Sequence, residues 1–524
     1  MQSDRISRPV AFAPRTSTLA MMVAAAIASL LAGCAVGPDY HRPEVSVPAA
    51  YKEAADGWKT AQPADQHDRG AWWTVYNDLQ LNALEDKLNA SNQTVAQFAA
   101  AYRQARALVG EARAAYFPVV SLAGSGQRAR TPRNSGGGGT SSSFGNASSI
   151  NNSFNLSLDA TWEPDLWGKV SRSVNAQEAG QQGAAADLAN ARLSAQATLA
   201  QTYYSIRSLD AQQKLLDDTV AAYNRSLQLT QNRYAQGIAA RSDVIQARTQ
   251  LQSAQAAAID NGVARAQDEH AIAVLVGEPA STFSLPRVPL DATPPDVPSQ
   301  MPSALLERRP DIASAERKAA AANEQIGIAI AAFFPSLTLS ASGGFENSVF
   351  SNLLTAPSRF WTVGPQLAAT LFDAGLRSAQ TDAARAAYDQ QVATYRQTVL
   401  TAFQDVEDNL ASQRILAQEI GVQQQAVDSA QQALDIVTNQ YKSGTVDYLS
   451  VLNAQTTAFL AEQKLASIAG QRMVSSVGLV KALGGGWDVA QMNRETGDAA
   501  APAAASSAST AQTPVADTQQ ARSN

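Results

Sequence analysis

The 524-residue chain holds one cysteine, Cys34, and three histidines. A single thiol excludes any disulfide within the chain and any thiolate cluster around a metal. His41, His67 and His270 fall at no metal-binding spacing, and no Ser/His/Asp or Cys/His set surrounds a nucleophile motif. The six methionines are scattered, which argues against a dedicated soft-metal route. No enzyme chemistry and no cofactor is therefore expected. Aromatic residues make up only 6% of the chain, a composition suited to closely packed long helices more than to one thick core. Lys and Arg number 40 against 46 Asp and Glu, for a net charge of −6. With no basic stripe, nucleic acid is excluded as a partner. Beyond the N-terminal region no segment approaches the ~20 apolar residues of a spanning helix. The Gly- and Ser-rich stretch 124–150 lacks the Lys and Ser/Thr that a phosphate cradle needs, and reads as a flexible exposed loop.

What the chain does have is a duplication. Residues 153–237 begin with Phe154, Leu156, Leu158, Ala160 and Trp162 alternating with polar residues, the period of a half-buried strand. After Gly168 the period changes to threes and fours, through Leu199, Tyr203, Ile206, Leu209, Leu216, Val220, Tyr223 and Leu227. That is a coiled-helix seam. Residues 362–444 repeat the plan, with Val363, Pro365, Leu367, Ala369 and Leu371 in the strand. Val399, Phe403, Val406, Leu410, Ile420, Val427, Leu434 and Tyr441 then mark the helix. The copies share landmarks: Gly168 with Gly375, Tyr234 with Tyr441, and the terminal Gly237 with Gly444. Both terminal glycines suit the left-handed end of a helix. A duplication of this kind argues for one elongated unit with pseudo-twofold symmetry.

The expected boundaries follow. Residues 1–33 carry Arg5, Arg8 and Arg15 and then a short apolar stretch, the make-up of a signal peptide. Residues 34–70 read as an extended segment rich in Pro and Ala. The first repeat spans 71–280, with Ala71 to Asp78 opening a helix whose apolar face is Leu79, Leu81, Leu84 and Leu88. Ser91 or Asn92 is the expected cap of the next helix. A Pro-rich linker covers 281–302, the second repeat 303–486, and a tail without apolar period 487–524.

Four segments alternate as strands: from Pro118 onward, 154–163, 337–345 and 362–371. Alternation fits a soluble sheet with one wet face, or a lipid-facing barrel with a wet lumen. In lipid an exposed sheet edge is not tolerated, and four strands cannot close on themselves. A barrel would therefore need several copies of the chain. Helices are expected over 170–236 and 376–442, each spanning roughly 100 Å. Partner helices return over 242–276 and 448–483. The sequence-level fold class is thus mainly α with a β-barrel contribution.

Two resemblances add to this reading. Leu31-Ala32-Gly33-Cys34 resembles the lipobox of bacterial lipoproteins, which would make Cys34 the acylated first residue of the mature chain. Ala35 in the next position then implies sorting to the outer membrane. Each buried CH₂ of an acyl chain adds about 0.8 kcal/mol to that tether. The plain alternative is an incidental Cys in a short apolar helix.

The second resemblance covers nearly all of the mature chain. Gly33-Cys34-Ala-Val-Gly-Pro-Asp-Tyr-His-Arg-Pro43, Trp72-Trp73, Trp162-Glu-Pro-Asp-Leu-Trp-Gly168, Leu306-Glu-Arg-Arg-Pro-Asp-Ile312, Ala331-Ala-Phe-Phe-Pro-Ser336 and Leu371-Phe-Asp-Ala-Gly375 resemble the lipoprotein branch of the TolC-like outer-membrane channels. These are the outer-membrane factors of tripartite resistance-nodulation-division (RND) efflux systems. The resemblance implies a homotrimer with a 12-stranded outer-membrane barrel and a periplasmic α-helical tunnel. It also implies a periplasmic adaptor protein, an inner-membrane RND transporter and outer-membrane lipid as partners, and a passive exit duct for drugs as the function. A channel for secreted polypeptides, and a coiled-coil surface lipoprotein, are the alternatives.

Carried over by position, the periplasmic lock falls at Tyr441, Asp243 and Ser242, beside the tip turns Gly237 and Gly444. The arginine of the family's second lock is replaced by Val446. The aspartates that narrow the family's tunnel fall at Ser450 and Asn453, so Asp447 is the candidate to supply the ring charge. A helix N-cap is the plain alternative for Asp243 and for Asp447. Seam packing is the alternative for Tyr441.

Overall fold

The computed structural model describes residues 36–48, 51–53, 71–130, 150–295 and 308–485. The signal segment, Cys34 and the tail 487–524 lie outside the described residues. Two copies of one plan follow each other. Helices α1 (Leu79–Ser91) and α2 (Gln93–Ala114) lead into β1 (Val119–Arg130) and β2 (Ile150–Trp162). Helix α3 (Lys169–Ala235) then runs for 67 residues, and α4 (Arg241–Leu275) returns beside it. The second copy is α5 (Pro310–Ala331), β3 (Ser336–Asn347), β4 (Arg359–Ala368), α6 (Leu376–Ser443) and α7 (Tyr448–Ala482). At 1.5 Å per residue α3 and α6 are each about 100 Å long.

Glycine sets the ends of these rods. Gly168 and Gly375 precede α3 and α6 with φ of 77° and 89°. Gly237 and Gly444 follow them with φ of 73° and 80°. At both distal ends the next amide closes back over the glycine: Ile238 N to Arg233 O at 2.9 Å, and Thr445 N to Gln440 O at 3.0 Å. This six-to-one bond satisfies a carbonyl that the helix end would otherwise orphan.

The sheet order is β1-β2-β3-β4, antiparallel throughout, so the two hairpins pair with each other through β2 and β3. The outer strands β1 and β4 have no further neighbour among the described residues of the protomer. One face carries Val120, Leu122, Leu156, Leu158, Leu337, Leu339, Trp361, Val363 and Leu367. The other carries Ser121, Asn155, Ser157, Asp159, Thr161, Thr338, Ser340, Ser342, Thr362 and Gln366. On that polar face the Asp159 carboxylate accepts from Ser157 Oγ at 2.8 Å and Ser342 Oγ at 2.6 Å.

Three expectations need correction. The loop expected from residue 124 begins later, because β1 continues to Arg130. Gly126 makes room for β2: a Cβ on it would press on the Phe154 ring at 3.2 Å, whereas one on Gly124 would make ordinary contact with the Leu156 side chain. Strand β4 stops at Ala368 and not at 371, since Ala368 pairs with Ser336, the first residue of β3. The segment 71–78 is not the start of a long helix. Trp72–Tyr76 is a 3₁₀ turn, Asn77 is left-handed, and Asp78 caps α1 by accepting from Gln80 N and Leu81 N. That phase buries Leu81, Leu84 and Leu88 but leaves Leu79, about 200° around the helix from Leu81, 85% exposed. The expected cap at Asn92 is formed, with Oδ1 accepting from Val95 N at 2.9 Å.

The core is thin and follows the seams. Its largest cluster joins Trp73, Leu81, Leu84 and Leu88 to Tyr203, Tyr204, Ile206, Ile272, Met473 and Val477. Within α1, Glu85 is wholly buried, and neither carboxylate oxygen has a hydrogen-bond partner among the described residues. Burial, and next the charge of Asp86, push its pKa from 4.5 up to about 9. The folded chain therefore holds a proton here that the unfolded chain releases near pH 4.5. Stability should fall as pH rises between those two values, by about 3 kcal/mol at pH 7. Glu85→Gln removes the titration. Thermal unfolding of the variant and the wild type should nearly coincide at pH 5, and the variant should be clearly more stable at pH 8.

Candidate functional site

The tips bring together residues from both copies. Tyr441, in the last turn of α6, is 4% exposed and packs edge-on to Tyr448, with ring centroids 5.6 Å apart. Tyr223, Leu227, Ala247, Leu251, Ala254 and Val451 complete the cluster, with Val446 against it. Tyr448 Oη shares a hydrogen bond with Ser226 Oγ at 3.3 Å. Burial holds the Tyr448 phenol above its ordinary pKa.

The hydrogen bond expected between Tyr441 and Asp243 is not formed in the protomer. Tyr441 Oη is buried and has no hydrogen-bond partner among the described residues. Asp243 sits in the first turn of α4, where its Oδ1 accepts from Ser242 Oγ at 3.3 Å. The N-cap of α4 is Ala240, so Asp243 is not the cap residue. The physical reason lies in Arg233. Its guanidinium carbon stands 4.6 Å from the centroid of the Tyr441 ring. Its Nη1 donates to Tyr441 O at 2.9 Å and to Lys442 O at 3.2 Å. The cation therefore fastens the C-terminal end of α6, where carbonyl dipoles concentrate negative charge, to the end of α3. With its ring under the guanidinium, Tyr441 packs in the seam and its hydroxyl makes no bond to Asp243.

Asp447 caps α7, accepting from Ser450 N at 3.0 Å and Ser450 Oγ at 2.7 Å. These bonds hold its carboxyl below the usual aspartate range. Asp447 remains exposed, as does Asn453 six residues on, whereas the Ser450 hydroxyl is committed to the cap. The sequence reading missed Arg233. Its signal is a difference between the copies. Aligned on Tyr234 and Tyr441, Arg233 stands where the second copy has Gln440, and Tyr234 is 47% exposed where Tyr441 is buried.

Because Tyr441 Oη lacks a partner, Tyr441→Phe discards a desolvated hydroxyl and keeps the ring. It should raise stability by about 1 kcal/mol and leave ion conductance unchanged. Differential scanning calorimetry and planar-bilayer recording check the two parts.

The other end of the rods is a sheet-to-helix joint. Asp165 closes the start of α3, with Oδ1 accepting from Val170 N and Oδ2 from Ser171 N. Trp167 stacks on Phe334 at 4.9 Å and donates Nε1 to Pro335 O at 2.7 Å, which ties the two copies together beneath the sheet. Phe117, Leu371 and Phe372 lie exposed at the same level.

A family model described as "Outer membrane efflux protein" matches residues 84–278 and 301–485, one segment in each copy of the plan. The chain belongs to the outer membrane efflux protein family. It is 32% identical over 476 residues to the probable efflux pump outer membrane protein TtgC of Pseudomonas putida, covering 90% of this chain and 96% of that one. It is likewise 32% identical over 470 residues to the outer membrane protein OprJ of Pseudomonas aeruginosa, covering 88% and 95%. The solved outer-membrane channel OprN superimposes with a TM-score of 0.78 at 28% identity, over 87% of this chain and all of that one. The fold of this efflux protein is that of the trimeric TolC-like channels, a duplicated helical tunnel with a barrel contribution. Its place is the outer membrane, with the helices reaching into the periplasm.

Proposed function

We propose that the chain is one third of a passive exit duct, through which small toxic molecules leave the cell. One observation carries this reading: a four-stranded sheet, apolar on one face and polar on the other, whose two edge strands lack neighbours among the described residues. Open edges cannot stand in lipid, so further copies must close the wall. The polar face, with Asp159, then lines a wet lumen continuous with the tunnel between the long helices. No nucleotide or cofactor takes part, and the chain does no chemistry. A periplasmic adaptor and an inner-membrane, proton-driven RND transporter supply the energy and dock at the tips. Cys34 carries the acyl anchor in the outer membrane.

In this reading Asp243, Ser242 and Tyr441 belong to the tip assembly that opens when the partners dock. Asp447, Ser450 and Asn453 line the aperture around the axis, with the Asp447 carboxylates favouring cations. The test is direct. Detergent-extracted protein should run as a trimer and conduct ions in a planar bilayer, and deletion of the gene should raise intracellular drug accumulation. A secretion defect with unchanged drug accumulation would instead assign the duct to polypeptides. A monomer that is soluble without detergent would end the proposal.

A further inference from the structure

Midway along the rods, α3, α6 and α7 surround a recess of about 470 Å³. Helical phase fixes the side on which it opens. On α3, Tyr203, Arg207 and Asp210 face the outer layer: Tyr203 Oη donates to Asp78 Oδ2, Arg207 Nη1 to Pro286 O, and Asp210 Oδ2 accepts from Val288 N. Ser205 is two residues from both Tyr203 and Arg207, and Gln212 two from Asp210, so each lies about 200° around the helix from them. The same offset holds on the other two walls. Met473 of α7 is buried in the outer cluster, and Gln471 lies opposite it in the recess. Leu410 of α6 is buried with Tyr51, and Ser412 lies opposite it in the recess. The recess therefore opens away from the outer layer, on the face that lines the tunnel.

No side chain around it carries a charge. Its polar groups are only partly committed. The side chains of Gln201 and Ser205 have no hydrogen-bond partner among the described residues. Gln212 Nε2 reaches Ser208 Oγ only at 3.5 Å, and Gln471 Nε2 donates to Ser467 Oγ at 3.2 Å, which leaves both amide oxygens open. Ser412 Oγ donates to Asp408 O at 2.7 Å and keeps its lone pairs free to accept. Gly470 makes the floor, where a Cβ would collide with the Ser208 hydroxyl. Leu209, Leu416 and Val474 add an apolar side. Uncharged donors and acceptors beside an apolar wall suit a molecule with hydroxyls at its rim and C–H groups on its faces. An ion would lose hydration there and find no counter-charge. The volume lies within the range of small-molecule clefts, about 300–1,000 Å³.

We propose that this recess is a binding site in the tunnel wall for uncharged, hydroxyl-rich molecules of disaccharide size, held by Gln201, Ser205, Gln212, Ser412 and Gln471. Solutes of that class pause there on their way through the duct. The site rests on the exit-duct reading, which makes this face a lumen.

Saturation-transfer NMR and calorimetry on the full-length trimer, in a detergent without sugar, read the binding. Trehalose is the uncharged probe, and the glucosamine dimer, with its two ammonium groups, is the charged one. Wild type should bind trehalose saturably and more tightly than the dimer. Gln201→Leu with Gln212→Leu removes hydrogen bonds to the hydroxyls and should weaken trehalose about tenfold. Gln212→Glu keeps the side-chain shape, adds a charge, and should reverse the preference in favour of the dimer. Absence of saturable trehalose binding by wild type would overturn the proposal. So would equal binding of the two probes, unchanged affinity in the leucine variant, or an unchanged preference in Gln212→Glu. Planar-bilayer conductance of the same preparations separates the two readings. A trimer that conducts without binding trehalose loses the site alone, and a protein that does not conduct loses the duct as well.

Discussion

Arg233→Ala should convert a quiet channel into a leaky one. In each protomer Arg233 supplies two hydrogen bonds to the carbonyls that end α6 and a cation over the Tyr441 ring. Helices α3 and α6 both end at the tips, and like dipole ends placed side by side repel. Without the guanidinium that repulsion is unopposed. Loss of the two carbonyl bonds, which share one Nη1, and of the cation–π contact costs about 2 kcal/mol. Three protomers lose it together, about 6 kcal/mol in all, and about 5.5 kcal/mol suffices to carry a two-state equilibrium from 99:1 to 1:99. Single-channel recordings should therefore show long open dwells in Arg233→Ala that the wild type lacks. Cells expressing it should take up antibiotics normally too large to enter. Arg233→Lys keeps the charge but loses the flat fork, and should fall between the two. Conductance of Arg233→Ala equal to that of wild type would remove Arg233 from the tip assembly.

The second large effect is expected at Arg172, near the start of α3. Its side chain is only 5% exposed. Nε donates to Val36 O at 2.7 Å, Nη2 to Gly37 O at 3.2 Å, and Nη1 to Pro38 O at 3.1 Å and Glu324 Oε2 at 3.0 Å. Gly327 leaves the space the guanidinium fills, since a Cβ there would collide with the arginine stem. Gly37, at φ 106°, passes so close to Gly327 that a Cβ on it would lie 2.6 Å from the Gly327 Cα. Truncation to Ala leaves the half-buried Glu324 without its arginine and the Val36 and Gly37 carbonyls without that donor, while Pro38 O keeps Asn323 Nδ2 at 3.1 Å. The expected cost is about 3–5 kcal/mol. It should appear as a lowered unfolding temperature and as protease cleavage within 36–48, where the wild-type chain resists. An uncut segment in Arg172→Ala would show that Tyr40 on Glu316 and Arg42 on Tyr395 hold it unaided.

Much of the fold could be read from residue order, because the signals were local. Seam periodicity and the glycines at 168, 237, 375 and 444 marked the long helices to within one residue at each end. Strand alternation sorted the two faces of the sheet. Other features depend on contacts far apart in the chain. Leu79 looked like core until Asp78 fixed the phase of α1. The strand through Gly126 needed the Phe154 ring opposite to make glycine acceptable. Arg172 and Arg233 resemble ordinary surface residues of a polar helix, and nothing in their neighbourhood shows the backbone carbonyls they hold. The Tyr441–Asp243 bond was expected by analogy of position. In the protomer that bond is absent, and the Tyr441 ring lies under Arg233, a residue the analogy did not cover.

The two halves of the chain are alike in plan but unlike where they end. One tip presents an open tyrosine and lends its arginine, and the other hides its tyrosine and receives that arginine. A closed ring of such chains offers its surroundings two environments in strict alternation. A collar of identical subunits sized to grip every tip would have to accommodate both, engaging adjacent positions with unequal strength, so its release would proceed by alternate contacts instead of all at once.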